Sequence, residues 1–287
     1  MDQLTELLTR LARSVDLSRA PAVTDLQDRF QHGRLRVLLV GEAKRGKSTL
    51  GNAILRRQVL PEGVVPLTAV TTTVRQGTPE RVDVHCIDGH LISAPIADLT
   101  LYVTETGNPS NQRGIDQVIV YLDSPLPHPS MELLDTPGVG SIHQHNTAMA
   151  ETAMGAMDVA VFVVTMDPPI SAAEVALLGR VRKLAARVYV VLNKIDQLEP
   201  ADRSTAERFT RQVGADALQT EPDDVALFPV SARAAIRAAA AGDADGWAAS
   251  GMAGFTRTLR QHLDSSWRTD LAVSIAGAAR RLVTELL

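Results

Sequence analysis

Gly41, Gly46, Lys47 and Ser48 stand in the order G-x-x-x-x-G-K-[ST]. Residue types at this spacing suit one chemistry. Glycines let backbone N–H groups curl around an anion, and a helix starting at the lysine adds its positive end. Lys47 can reach β- and γ-phosphates, and the Ser48 hydroxyl can bind magnesium. The whole loop, Gly41, Glu42, Ala43, Lys44, Arg45, Gly46, Lys47, Ser48 and Thr49, is therefore a candidate nucleotide contact. Asp135, ahead of Thr136-Pro137-Gly138, can hold a magnesium-bound water, with the Gly138 N–H meeting the γ-phosphate. Asn193-Lys194-Ile195-Asp196 selects a base. Asp196 can accept hydrogen bonds from guanine N1–H and the N2 amine, whereas adenine would leave it unpaired. Sites built this way discriminate by roughly 10⁴–10⁵. Lys194 would lie along the base, Asn193 would brace the loop, and Ser231-Ala232 would offer an N–H to guanine O6. Thr68 is the candidate for meeting magnesium and the attacking water. Thr71, Thr72 and Thr73 compete with it, although β-branched residues in a row are also what a strand requires.

These groups need elements to aim them. Leu35, Val37, Leu38, Leu39 and Val40 form a short apolar run, as in a strand buried on both faces, and Leu50, Ala53 and Ile54 return at helical spacing. Further strands are expected in the second half of 67–74, at 81–87, 117–122, 159–164, 188–192 and 225–230, and in the run feeding Asp135. A short helix is expected near 96–102, and Ser171 can cap a helix running to about Leu184. This βα alternation from residue 34 to about 240 argues for an α/β sheet with helices on both faces. Before it, Leu4, Leu7, Leu8 and Leu11 trace a helical stripe, Ala20-Pro21 breaks it, and Leu26 and Phe30 start another. These helices should pack outside the nucleotide fold. The resulting division is 1–31 helices, 32–240 nucleotide domain, 241–254 a flexible Gly/Ala/Ser connection or hinge, and 255–287 one long helix or two short ones. The last stripe stops in mid-pattern, so a longer natural chain is expected.

The chain has 287 residues, 45% of them hydrophobic, and a net charge of −4. That balance lacks the basic footprint of nucleic-acid binding. Cys86 lies in an alternating segment and reads as a packed strand residue. No run approaches the roughly 18 apolar residues of a spanning helix. Only four lysines occur, and Lys44, Lys47 and Lys194 fall in the nucleotide motifs. His143 and His145 lack a third ligand and read as a mobile polar loop. Arg180, Arg182, Lys183 and Arg187 read as a solvated helix end.

The motifs resemble those of the translation-factor-class GTPases and, within them, the bacterial dynamin-like proteins, with the isoniazid-inducible proteins of actinobacteria as the nearest group. The phrases GEAKRGKSTLGNAIL, LPEGVVPLTAV, DTPGVGS and VFVVTMDPPISAAEVALL carry the resemblance, together with the 87 residues from Ser48 to Asp135. It implies a Ras-like P-loop domain with a mixed, mostly parallel sheet containing one antiparallel strand, flanked by terminal helices in a neck bundle. It also implies GTP/GDP and Mg2+ as ligands, GTP hydrolysis stimulated by homodimerisation through the GTPase domains, and a cytoplasmic location, peripheral to the membrane's inner face. Membrane remodelling would fall to a trunk and tip for which this chain has no room. Ala43 and Lys44 replace the Gln-Ser pair of eukaryotic dynamins, and Val139 replaces the water-positioning glutamine of small GTPases. Guanylate-binding proteins carry an arginine finger where Lys44 stands, so Lys44 becomes a candidate catalytic cation beside Lys47 and Thr68. The alternatives are a monomeric switch GTPase binding an effector such as an assembling ribosome, and a nucleotide-binding scaffold with negligible turnover.

Overall fold

A computed structural model describes residues 2–15, 19–62, 70–124, 126–137 and 144–284. Two helices, α1 (Asp2–Ser14) and α2 (Ala20–His32), precede β1 (Leu35–Val40) and α3 (Lys47–Leu55). Then come β2 (Thr72–Gln76), β3 (Arg81–Cys86), β4 (Leu91–Ala94), a one-turn α4 (Thr100–Val103), β5 (Ile115–Leu122) and β6 (Met131–Asp135). The second half alternates: α5 (Gln144–Gly155), β7 (Val159–Val164), α6 (Ala172–Leu184), β8 (Arg187–Leu192), α7 (Pro200–Leu218) and β9 (Leu227–Pro229). It closes with α8 (Ala232–Ala241), α9 (Ala244–Ala249) and the 33-residue α10 (Met252–Thr284).

The nine strands among the described residues form one sheet, ordered β4-β3-β5-β2-β6-β1-β7-β8-β9. From β6 to β9 the pairing is parallel, which aims every strand's C-terminal end at one edge. Ligand sites of open α/β sheets form there. β2 lies antiparallel to β6, β5 follows β2, and β3 and β4 then alternate. So β2, β5 and β4 all run against the parallel block, where one antiparallel strand was expected. The long interval between Ser48 and Asp135 holds this added sheet. β4 is a short exposed edge strand that composition did not announce, although Asp88-Gly89 is a hairpin signal.

β1 is the centre. Leu35, Val37 and Leu39 face α3, α8 and α10, while Leu38 and Val40 face α6 and α7. On the first side α1 and α2 also pack, through Leu8, Leu11, Val23 and Leu26. Gly33 ends α2 with φ +61°, and an added Cβ there would sit 2.8 Å from the Trp267 ring of α10. Glycine is thus required twice over, by backbone sign and by space. The 241–254 stretch holds α9, capped by Asp243, with Trp247 and Met252 buried. His145 falls within α5, not in a loop, and His143 lies outside the described residues. No helix among the described residues is long and apolar enough to cross a membrane.

Charge locks α2 to the sheet. Arg29 and Asp158 are both buried and meet at 2.5 Å, and Asp158 also accepts from the Arg36 N–H at 2.6 Å. Arg36 reaches back to Asp25 at 2.6 Å, and the buried Glu132 faces Arg36 and Arg75. Breaking a buried pair leaves one charge uncompensated, at about 3–5 kcal/mol, whereas an exposed pair contributes about 0–1 kcal/mol. We predict that Arg29→Ala lowers unfolding stability by the larger amount in a urea titration. Glu151→Ala, which removes the exposed partner of Arg180, should shift it by no more than the smaller one.

Candidate functional site

The loop between β1 and α3 sits at the C-terminal end of the parallel strands. Gly46 caps α3 in the left-handed region, φ +88°, and a Cβ there would lie 2.5 Å from Asn193 Nδ2. Only glycine fits, so Asn193 can approach closely enough to donate to the Arg45 carbonyl at 3.1 Å. Asn193 Oδ1 accepts from the N–H groups of Lys194 (2.8 Å) and Ala232 (3.1 Å). One buried amide therefore ties the loop, the end of β8 and the start of α8 together.

Arg45 does the other half of the bracing. Its side chain leaves the loop and is buried. It pairs with both oxygens of the buried Glu174, at 2.7 and 2.6 Å, and donates to the Thr165 hydroxyl and Pro168 carbonyl. Glu174 completes a capping box with Ser171 at the start of α6, and the Ser171 hydroxyl donates to Glu42. Sequence reading placed Arg45 in the loop and Ser171 at a cap but missed Glu174. The Ser-x-x-Glu spacing was the available clue.

Lys47 is buried and donates to the carbonyls of Gly41 (3.1 Å) and Glu42 (3.0 Å). Burial pushes its ammonium down to about 8, against the pull of Asp135, Glu174 and Glu42. Ser48 donates to Asp135 Oδ2 at 2.6 Å. Burial pushes the Asp135 carboxyl up to about 6, opposed by Ser48 and Lys47 and reinforced by the nearby Glu62. Glu62 itself accepts from Thr49 (2.9 Å) and Asn52 (2.6 Å). The Thr136 N–H favours the charged Asp135, yet Asp135 Oδ1 is buried with no hydrogen-bond partner among the described residues. A hydroxyl, a carboxylate and one orphaned carboxylate oxygen are the hard oxygen donors a divalent cation takes. Ser48 and Asp135 therefore fit magnesium. Thr68 and Gly138 lie outside the described residues.

The residues expected to select a base converge beside the loop. Lys194, in the left-handed region, sends its ammonium to the Lys44 carbonyl at 2.8 Å, so its stem spans from β8 to the loop as a platform. Burial, then Arg45 and Arg233, pulls that ammonium below its usual range. Asp196 is exposed at the platform's end. Ser231 caps α8 through its side chain and gives its N–H to the Ser250 carbonyl. An Ala232 N–H turned to a base would have to leave Asn193 Oδ1. The Lys44 side chain is exposed. Thr72 and Thr73 lie buried in β2.

Comparison with known proteins matches residues 37–195 to the dynamin family. An uncharacterised protein in the xynA 3′ region of Caldicellulosiruptor sp. (strain Rt8B.4) is 31% identical over 233 residues, which are 81% of this chain and 58% of that protein. The bacterial dynamin-like protein of Nostoc punctiforme is 27% identical over 192 residues, 61% of this chain and 27% of that one. Among solved structures, one of an oligomerised bacterial dynamin pair superposes with a TM-score of 0.65 at 15% identity, covering 99% of this chain and 46% of that one. The chain thus spans less than two thirds of the length of each of these proteins.

Asp135 titrates near 6 in the fold against 3.8 for the free side chain. Between those values the folded state holds a proton that the unfolded state has lost. Stability therefore falls as pH rises through them, by about 3 kcal/mol in all. Asp135→Asn cannot ionise. We predict that the ligand-free variant is more stable than wild type above about pH 6 and that the gain shrinks toward about pH 4, read from urea unfolding at stepped pH. A variant less stable than wild type at high pH would show that the carboxylate supports the ligand-free fold.

Proposed function

Because the chain belongs to the dynamin family, we propose that it binds guanine nucleotide with magnesium and hydrolyses GTP, faster when two GTPase domains meet. The observation that carries this reading is the Ser48–Asp135 pair beside Lys47, with one Asp135 oxygen unpartnered among the described residues, next to a loop braced by Asn193. Lys47 would exchange two loop carbonyls for β- and γ-phosphate oxygens. A bound magnesium ion would neutralise charge building on the phosphoryl group. Ser48 and Asp135 would hold it, joined by Thr68. Asp196 would read the guanine edge, with the Lys194 stem along the base. Gly138 would meet the γ-phosphate.

The neck would comprise α1, α2 and α10, with residues 241–254 as the joint that conveys nucleotide state. Any action on membranes, and a cytoplasmic or peripheral location, belongs to this same reading and follows the relatives. Lys44 is proposed to supply positive charge across a dimer. A finger of this kind is worth roughly 10³–10⁵ in rate for arginine, and less for the point charge of lysine.

Turnover per protomer, measured across protein concentration with and without anionic liposomes, tests the proposal. Specific activity rising with concentration is expected. A slow, concentration-independent rate would favour a monomeric switch activated by an effector. We predict that Lys44→Ala keeps basal turnover and loses most of the concentration-dependent gain. Asp196→Asn should weaken GTP binding by at least about 10³-fold while leaving unfolding stability unchanged, because the lost pairing exists only with the base.

A further inference from the structure

Among the described residues, a second buried oxygen lies without a partner beside the proposed cation site. Thr72 is 1% exposed, and its hydroxyl makes no hydrogen bond among the described residues. A buried hydroxyl in that condition costs stability unless something binds it. Its neighbour identifies what that could be. In the antiparallel pairing of β2 with β6, Thr72 stands directly opposite Asp135. Directly opposed residues project from the same face of a sheet, with Cβ atoms about 4.5–5.5 Å apart. Val74 and Leu133, two residues along each strand, point into the core beneath α3. Thr72 and Asp135 therefore face α3 as well, the helix that carries Ser48.

Two orphaned oxygens, Thr72 Oγ1 and Asp135 Oδ1, thus share one side of the site. The second Asp135 oxygen is already held by Ser48. The orphaned carboxylate oxygen needs a donor or a cation, and the hydroxyl can donate or accept. A water carried by a hydrated cation satisfies both at once, and magnesium keeps several of its waters when it binds protein. β-propensity explains a β-branched residue at this position but not a hydroxyl, because valine would suit the buried strand better.

We propose that Thr72 is a positioning residue of the cation site, its hydroxyl sharing with Asp135 Oδ1 a water of the magnesium shell. It orients the carboxylate without being a ligand. This rests on the nucleotide reading above and adds a residue that the phosphate-loop and base motifs do not include. Partners of this second kind change metal affinity by about 10–100-fold when removed.

The test is Thr72→Val, which keeps the shape and removes only the hydroxyl. Thermal unfolding is followed in three states: ligand-free, with GDP and EDTA, and with GDP and stepped magnesium. The ligand-free midpoint should stay level or rise by about 1–4 °C, since an unpaired buried hydroxyl is gone. GDP stabilisation in EDTA should be unchanged. The magnesium concentration for half-maximal further stabilisation should rise about tenfold or more, and Thr72→Ser should restore it. A Thr72→Val protein with the wild-type magnesium midpoint would overturn the proposal. So would one destabilised equally in all three states, which marks a structural role. A wild type whose midpoint ignores GDP with and without magnesium would overturn the nucleotide reading, and this proposal with it.

Discussion

A loop whose backbone N–H groups must converge on one point cannot hold itself. Peptide groups turned inward give up the partners that a helix or strand supplies, and their dipoles repel when no anion is present. The surrounding structure has to impose the shape. Here two buried side chains do so from opposite sides. Asn193 grips the Arg45 carbonyl from the end of β8, and the Arg45 guanidinium is locked by Glu174 at the start of α6. Both anchors stand on the parallel half of the sheet, where β1, β7 and β8 bring their ends into line. The sheet's register is thus the origin of the loop's geometry. The glycine at 46 is where Asn193 comes within reach, so the close approach and the bracing are one feature.

The same site concentrates charge where charge is costly. Lys47 and Asp135 are both buried, and burial displaces each toward its neutral form. Their mutual attraction only partly offsets this. A protein selected for stability alone would place apolar groups there. On the proposed reading the cost would be relieved where phosphate oxygens met the lysine and a cation met the carboxylate, so the ligand-free site is held away from its own electrostatic optimum. The interim partners of Lys47 are two loop carbonyls, weaker than phosphate and readily exchanged.

What could be read from the sequence divides along physical lines. The strand–loop–helix around Gly46, the strand ending at Asp135, the strand leading to Asn193 and most other strands of the parallel block were legible, because they are local: a motif between a strand and a helix, or a continuous apolar run. Of the two forms expected for the stripe of Phe255, Leu259, Leu263, Trp267, Leu271 and Ile275, one long helix is observed, with Trp267 partly buried and the other five side chains buried. Features joining distant segments were not legible. Glu174 lies 129 residues from Arg45, and Asp158 lies 129 from Arg29. No spacing rule connects either pair. β4 escaped because an edge strand exposed on both faces carries no alternation. The Gly, Ala and Ser content of 241–254 suggested looseness, yet small residues also permit the close packing that seats Trp247.

The charged lock on α2 bears on how the flanking helices could move. Arg29 and Asp158 are buried together, and Arg36, Asp25, Glu132 and Arg75 extend the network across β1, β6 and β2. Swinging α2 away from the sheet would strip these charges of partners before water could replace them, at a cost of several kcal/mol. Along the outer part of α10, Arg281 donates to the exposed end of α5 at Gly155. A hydrogen bond at a helix C-terminus is worth about 1 kcal/mol and is easily remade with solvent. The two helices are thus anchored by different means. α2 is tied to the sheet by buried charge, whereas the distal half of α10 is held by apolar burial, with Leu271, Ile275 and Ala279 all inside the core it shares with α1 and α2.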